Sequence, residues 1–116
     1  MEGLIRGPGI QQPKTALICI ENTCDLNAGM VVPMDHMNDI ARLGERYNIP
    51  VLLDGARIFN ASVALETPVD QLTENIDTVM FALTKGLSAP FGAMLVGRKE
   101  WMETARWNKQ RLGGGF

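Results

Sequence analysis

The stretch VLLDGARIFNASVAL, Val51 to Leu65, decides the fold. Its first three residues are wholly apolar and follow Asn48 and Pro50, which close whatever helix comes before. The run stops abruptly on Asp54-Gly55, and from Arg57 onward the composition is helical until Pro68. An apolar strand that breaks into a helix is half of a β-α-β unit. Strands of that kind are buried on both faces and read as continuous apolar runs.

Working outward, the same alternation recurs. Upstream, Thr15 to Glu21 (TALICIE) is another near-continuous apolar run, expected to be a strand buried on both faces. Asp35 is the expected N-cap of a helix whose buried stripe is Met37, Ile40, Ala41, Leu43, Gly44 and Tyr47, at three- and four-residue spacing. Downstream, Thr78 to Leu83 is a third strand and Gly92 to Gly97 a fourth, followed by a helix over Lys99 to Leu112 with a cationic end that suits its dipole. The fourth strand follows the third too closely for a helical crossover. It is either an antiparallel neighbour or a more distant strand reached by a loop. The class is therefore α/β, a mostly parallel sheet covered by helices. Four apolar strands need neighbours on both edges, and about three helices are too few to cover both faces. The chain is expected to be the middle of a larger domain.

Composition restricts the function. The 116 residues are 46% hydrophobic and 21% charged with a net charge of -2, as in one ordinary globular domain with no basic surface for nucleic acid. No apolar run approaches the roughly 18 residues of a membrane span, and the first residues lack the pattern of a signal peptide, so a cytoplasmic protein is expected. Cys19, Cys24 and the single His36 support neither a disulfide framework nor a metal site.

In open α/β sheets, ligands bind beyond the carboxyl ends of the strands. Three polar clusters fall there: Glu21-Asn22-Thr23-Cys24, Asp54-Gly55-Ala56-Arg57 and Thr84-Lys85-Gly86. Taken singly, an Asp-Gly after a strand is most often a turn, and a lone lysine most often a solvated charge. Around Lys85, however, Gly86, Ser88, Ala89, Pro90 and Gly92 leave little side-chain bulk. A lysine, an aspartate and an arginine on one rim suit pyridoxal phosphate chemistry: an amine to form the Schiff base, a carboxylate to keep the ring nitrogen protonated, and a guanidinium to grip an amino-acid carboxylate. Neither a G-x-G-x-x-G nor a G-x-x-x-x-G-K-[ST] motif is present.

The motifs ENT (Glu21 to Thr23), LDGARIFNA (Leu53 to Ala61), LTKGLSAPFGAMLVG (Leu83 to Gly97), and RW with LGGG (Arg106, Trp107, Leu112 to Gly115) closely resemble the low-specificity L-threonine aldolases. These are β-eliminating lyases of the aspartate-aminotransferase-like, fold-type-I group. The resemblance implies that residues 1–116 are part of a pyridoxal phosphate-binding large domain. It makes Lys85 the Schiff-base lysine, Asp54 the partner of the pyridine nitrogen and Arg57 the ligand of the substrate carboxylate. The implied reaction cleaves L-threonine or L-allo-threonine to glycine and acetaldehyde in a homo-oligomer. It further implies that a phosphate-cradling loop and a ring-stacking residue precede Met1, and that a phosphate-binding arginine and a small C-terminal domain follow Phe116. Such a fragment by itself would be catalytically silent. A β-elimination enzyme on the same scaffold is the remaining alternative. Where the family commonly reads ENTHN, with a histidine near the substrate hydroxyl, this chain has Cys24 and Asp25. A thiol, with a pKa of about 8.5, is a different acid-base group from an imidazole at about 6.5.

Overall fold

The computed structural model describes residues 1–114; Gly115 and Phe116, the end of the expected glycine-rich loop, lie outside the described residues. Four strands, β1 (Ile18–Glu21), β2 (Val51–Asp54), β3 (Thr78–Ala82) and β4 (Ala93–Gly97), form one sheet in the order β1-β2-β3-β4. β1, β2 and β3 run parallel. β4 pairs antiparallel with β3, which resolves the open alternative for the fourth strand in favour of the neighbour. The helices are α1 (Met34–Tyr47), α2 (Ile58–Ala64), α3 (Val69–Thr73) and α4 (Lys99–Arg111).

The core lies where α1, α2 and α3 meet β2 and β3. Met37, Leu53, Ile58, Ala61, Leu72 and Val79 are buried together, and Phe59 meets Phe81 edge to face with ring centroids 5.5 Å apart. α2 ends at Ala64 with Leu65 as its C-cap, before Pro68 is reached, and Pro68 instead serves as N-cap of α3, a five-residue helix absent from the sequence reading. Its one buried residue, Leu72, is too little for a periodic signal.

Two expectations are corrected at α1. The N-cap is Pro33, not Asp35; the Asp35 carboxylate instead accepts the His36 N–H within the first turn. Met37 and Gly44 are buried as expected, but Tyr47 is exposed, because its hydroxyl donates to Glu2 Oε1 at 2.8 Å. That hydrogen bond and the nearby Arg46 guanidinium hold the Glu2 carboxyl below its ordinary value, and the same bond raises the Tyr47 phenol. Burial of the outer strands is also less than expected. Cys19 in β1 is exposed, and all five residues of β4 are exposed, with Met94, Leu95 and Val96 between 42% and 46% accessible. Each of these strands stands at an edge with one neighbour.

Gly44 shows how closely α1 approaches the sheet. A Cβ there would lie 2.7 Å from the Ile49 carbonyl oxygen and 2.7 Å from Val51 Cγ2. The carbonyl cannot retreat, because the Ile49 N–H donates back to Gly44 O at 2.8 Å in the turn that leads into β2. Gly44→Ala is therefore expected to destabilise the fold by roughly 1–3 kcal/mol despite alanine's better helix propensity. Urea unfolding of the purified protein checks this, and an unchanged midpoint refutes it.

Candidate active site

The parallel pairing puts the carboxyl ends of three strands at one edge of the sheet, with β3 running two residues, to Ala82, beyond the position that pairs with Asp54. Glu21 stands beside Asp54, and Asp54 beside Met80. The three polar clusters therefore all follow strand ends at the same edge of the sheet. Each is held there by a local device.

Asp54 ends β2, and its Oδ1 accepts the Ala56 N–H at 3.0 Å, closing a tight turn. The Gly55 N–H donates to Met80 O at 2.7 Å, and a Cβ on Gly55 would meet that oxygen at 2.9 Å. The turn is thus pressed against β3, and only glycine fits. Among the described residues Asp54 has no ion-pair partner, so its second oxygen is available. Arg57 follows as N-cap of α2, with its side chain 30% exposed and its Nη1 3.0 Å from Asp25 Oδ1.

Lys85 lies three residues beyond the end of β3, in the loop that connects to β4. The loop is tied at its base by Leu83 N–H to Gly92 O at 3.0 Å and by Ala89 N–H to Leu83 O at 2.9 Å. Within it, the Ser88 N–H donates to Lys85 O at 3.0 Å, and Ser88 takes a left-handed conformation with φ of 55°. A Cβ on Gly86 would lie 2.6 Å from Asn60 Oδ1, so the residue after the lysine is seated directly on α2. Lys85 itself is exposed and makes no ion pair among the described residues.

The loop after β1 carries Cys24, half-buried and paired through its backbone with Met30. Asn22 closes this loop. It is fully buried, its amide donates to Val32 O at 3.0 Å, and its Oδ1 accepts the Val32 N–H at 3.1 Å. Sequence reasoning quoted Asn22 without assigning it this task and gave no role to Asp25 or Asn60. A polar residue directly after an apolar strand, and an asparagine one turn into a helix, carry no periodic signal. Only the tertiary contacts give these residues a role.

The structure thus puts Asp54 and Arg57 at the start of one β2–α2 connection, Asp25 against Arg57, and the Lys85 loop against the same helix through Asn60. It does not join Lys85 to Asp54 by any direct contact. A depression of about 840 Å³, lined among others by Arg42, Asn48, Asp77, Arg98 and Trp101, lies instead at the amino ends of β2 and β3. There Asp77 accepts from the Val51 N–H and from Arg98, so its charge is already engaged in joining β2 to the end of β4. Neither Lys85 nor Asp54 reaches that end of the sheet.

The family profile of the beta-eliminating lyases matches residues 1–116, the whole chain. The chain belongs to the beta-eliminating lyase family. Among relatives, it is 39% identical over 118 residues to the protein of Arabidopsis thaliana named "Probable low-specificity L-threonine aldolase 2", covering all of this chain and 33% of that one. It is 36% identical over 111 residues to the low specificity L-threonine aldolase of Escherichia coli O157:H7, covering 95% of this chain and 32% of that one. Among solved structures, it superimposes with a TM-score of 0.79 and 28% identity on a protein from Exiguobacterium provisionally titled an aromatic amino acid beta-eliminating lyase/threonine aldolase, covering 83% of this chain and 27% of that one. The chain thus spans about a third of the length of the relatives it matches. As a member of this family it has the expected α/β fold, with β4 the one antiparallel strand among the described residues. No helix among the described residues is long and apolar enough to cross a membrane.

Proposed function

We propose that this beta-eliminating lyase is a pyridoxal phosphate-dependent carbon–carbon lyase that cleaves L-threonine or L-allo-threonine to glycine and acetaldehyde. In this reading residues 1–116 are the central part of its large domain. The observation that supports it is that the segments carrying Asp54 and Arg57, after β2, and Lys85, after β3, leave adjacent parallel strands at the same edge of the sheet. That donor set fits the cofactor's aldehyde, its ring nitrogen and the substrate's carboxylate. The close approach of Gly86 to Asn60 Oδ1, where a Cβ would lie 2.6 Å away, keeps the Lys85 loop against α2.

The electron sink for the breaking Cα–Cβ bond comes from the bound cofactor. Lys85 Nζ would hold the cofactor covalently and would take and return protons beside the substrate Cα. Asp54 would keep the ring nitrogen protonated, its Oδ1 being engaged by the Ala56 N–H and its other oxygen free of any ion pair among the described residues. Arg57 orients the substrate through its carboxylate. Cys24 takes the sequence position of the family's histidine near the substrate hydroxyl, and in this reading its thiol would be the group this chain offers for moving that proton. The reading also carries a small amino-acid substrate, a homo-oligomeric full-length protein and a cytoplasmic location.

The test is direct. Purified full-length protein supplied with pyridoxal phosphate is expected to absorb in the visible range and to form glycine and acetaldehyde from L-threonine. A protein that stays colourless in excess cofactor, or one that forms pyruvate instead of glycine, overturns the proposal.

A further inference from the structure

We infer that Asp25 occupies the substrate-carboxylate position on Arg57 and is displaced when an amino acid binds, so that this residue sets substrate affinity. The inference rests on the reading of Arg57 given above. Its structural basis is the ion pair between Arg57 Nη1 and Asp25 Oδ1 at 3.0 Å.

Three features make Asp25 an exchangeable occupant. First, its side chain offers the same chemical group as the substrate, a carboxylate, so the two compete for one guanidinium. Second, its side chain is 66% exposed whereas that of Arg57 is 30% exposed, which makes the pair a weak surface one on the Asp25 side. Third, the backbone beneath Asp25 is fixed. Its N–H donates to Glu21 Oε1 at 3.2 Å, the loop is bridged from Cys24 to Met30, and Asn22 clasps Val32. Displacement therefore requires rotation of one side chain and no movement of the loop. A residue that oriented Arg57 for the substrate would give the opposite result on removal, so the two roles separate experimentally.

The experiment titrates glycine into cofactor-loaded protein and reads the visible absorbance of the bound cofactor. Asp25→Asn and Asp25→Ala are both expected to bind glycine roughly two- to fivefold more tightly than the parent, the size of an exposed ion pair. The gap is expected to narrow between about 50 mM and 500 mM salt, as exposed charges are screened. In cofactor-free protein, the side-chain ¹⁵N resonance of Arg57 is expected to move in Asp25→Asn. Variants that bind glycine no better than the parent, or an Arg57 resonance that does not move, overturn the inference. Arg57→Gln separates this outcome from failure of the underlying reading. If it loses glycine binding while the Asp25 variants match the parent, only the role of Asp25 fails. If it binds glycine as tightly as the parent, Arg57 is not the carboxylate ligand.

Discussion

Lys85→Ala is expected to leave the purified protein colourless in the presence of pyridoxal phosphate and to lower threonine cleavage by roughly 10³-fold. The size follows from the role proposed for its Nζ: the same amine would both hold the cofactor and carry protons at the substrate. Lys85→Arg is the sharper variant. It keeps a positive charge at an exposed position that makes no ion pair among the described residues, but a guanidinium stays protonated and cannot act as a nucleophile. It should therefore behave like alanine. Unchanged circular dichroism in both variants would show that the loss is chemical. Visible absorbance retained by Lys85→Arg would remove Lys85 from the proposed role.

The second large effect is expected at Asp54. Asp54→Asn keeps an oxygen to accept the Ala56 N–H, so the turn between β2 and α2 persists, but the negative charge is gone. A neutral amide cannot hold the proton on a ring nitrogen, and the lost charge-assisted hydrogen bond corresponds to roughly a 10²-fold fall in turnover. Steady-state assay of threonine cleavage, set beside a thermal melt that stays at the parent value, checks this. Full turnover in Asp54→Asn would mean that another group faces the ring nitrogen.

How much of this was legible in the sequence depended on whether a residue's role is local. The four strands and the turn at Asp54-Gly55 were readable because apolar runs and breakers act over a few neighbouring residues. The motif at Lys85 was readable for the same reason. The N-cap of α1 was misplaced because Pro33, which has no side-chain cap bond, left Asp35 as the more conventional signal. The exposure of β1 and β4 could not be read, since an apolar strand at an edge has the same composition as one in the middle of a sheet. Asn22, Asp25 and Asn60 acquire their tasks only from partners that lie beyond the periodic spacing: Val32, Arg57 and Gly86.

The alternation within β2 ties the core to the rim more rigidly than either would require alone. Val51 and Leu53 are buried on one face, and Leu52 and Asp54 fall on the other. A side-chain period of two means that adding or deleting one residue exchanges the faces. An insertion within Val51–Asp54 would thus expose Leu53 and turn Asp54 inward at once. The loop from Thr23 to Val31 and the loop that holds Lys85 lie outside the ladder and carry no such coupling. A one-residue insertion is accordingly expected to be tolerated far better in either loop than within the four-residue strand β2, where it would exchange the buried and rim-facing positions.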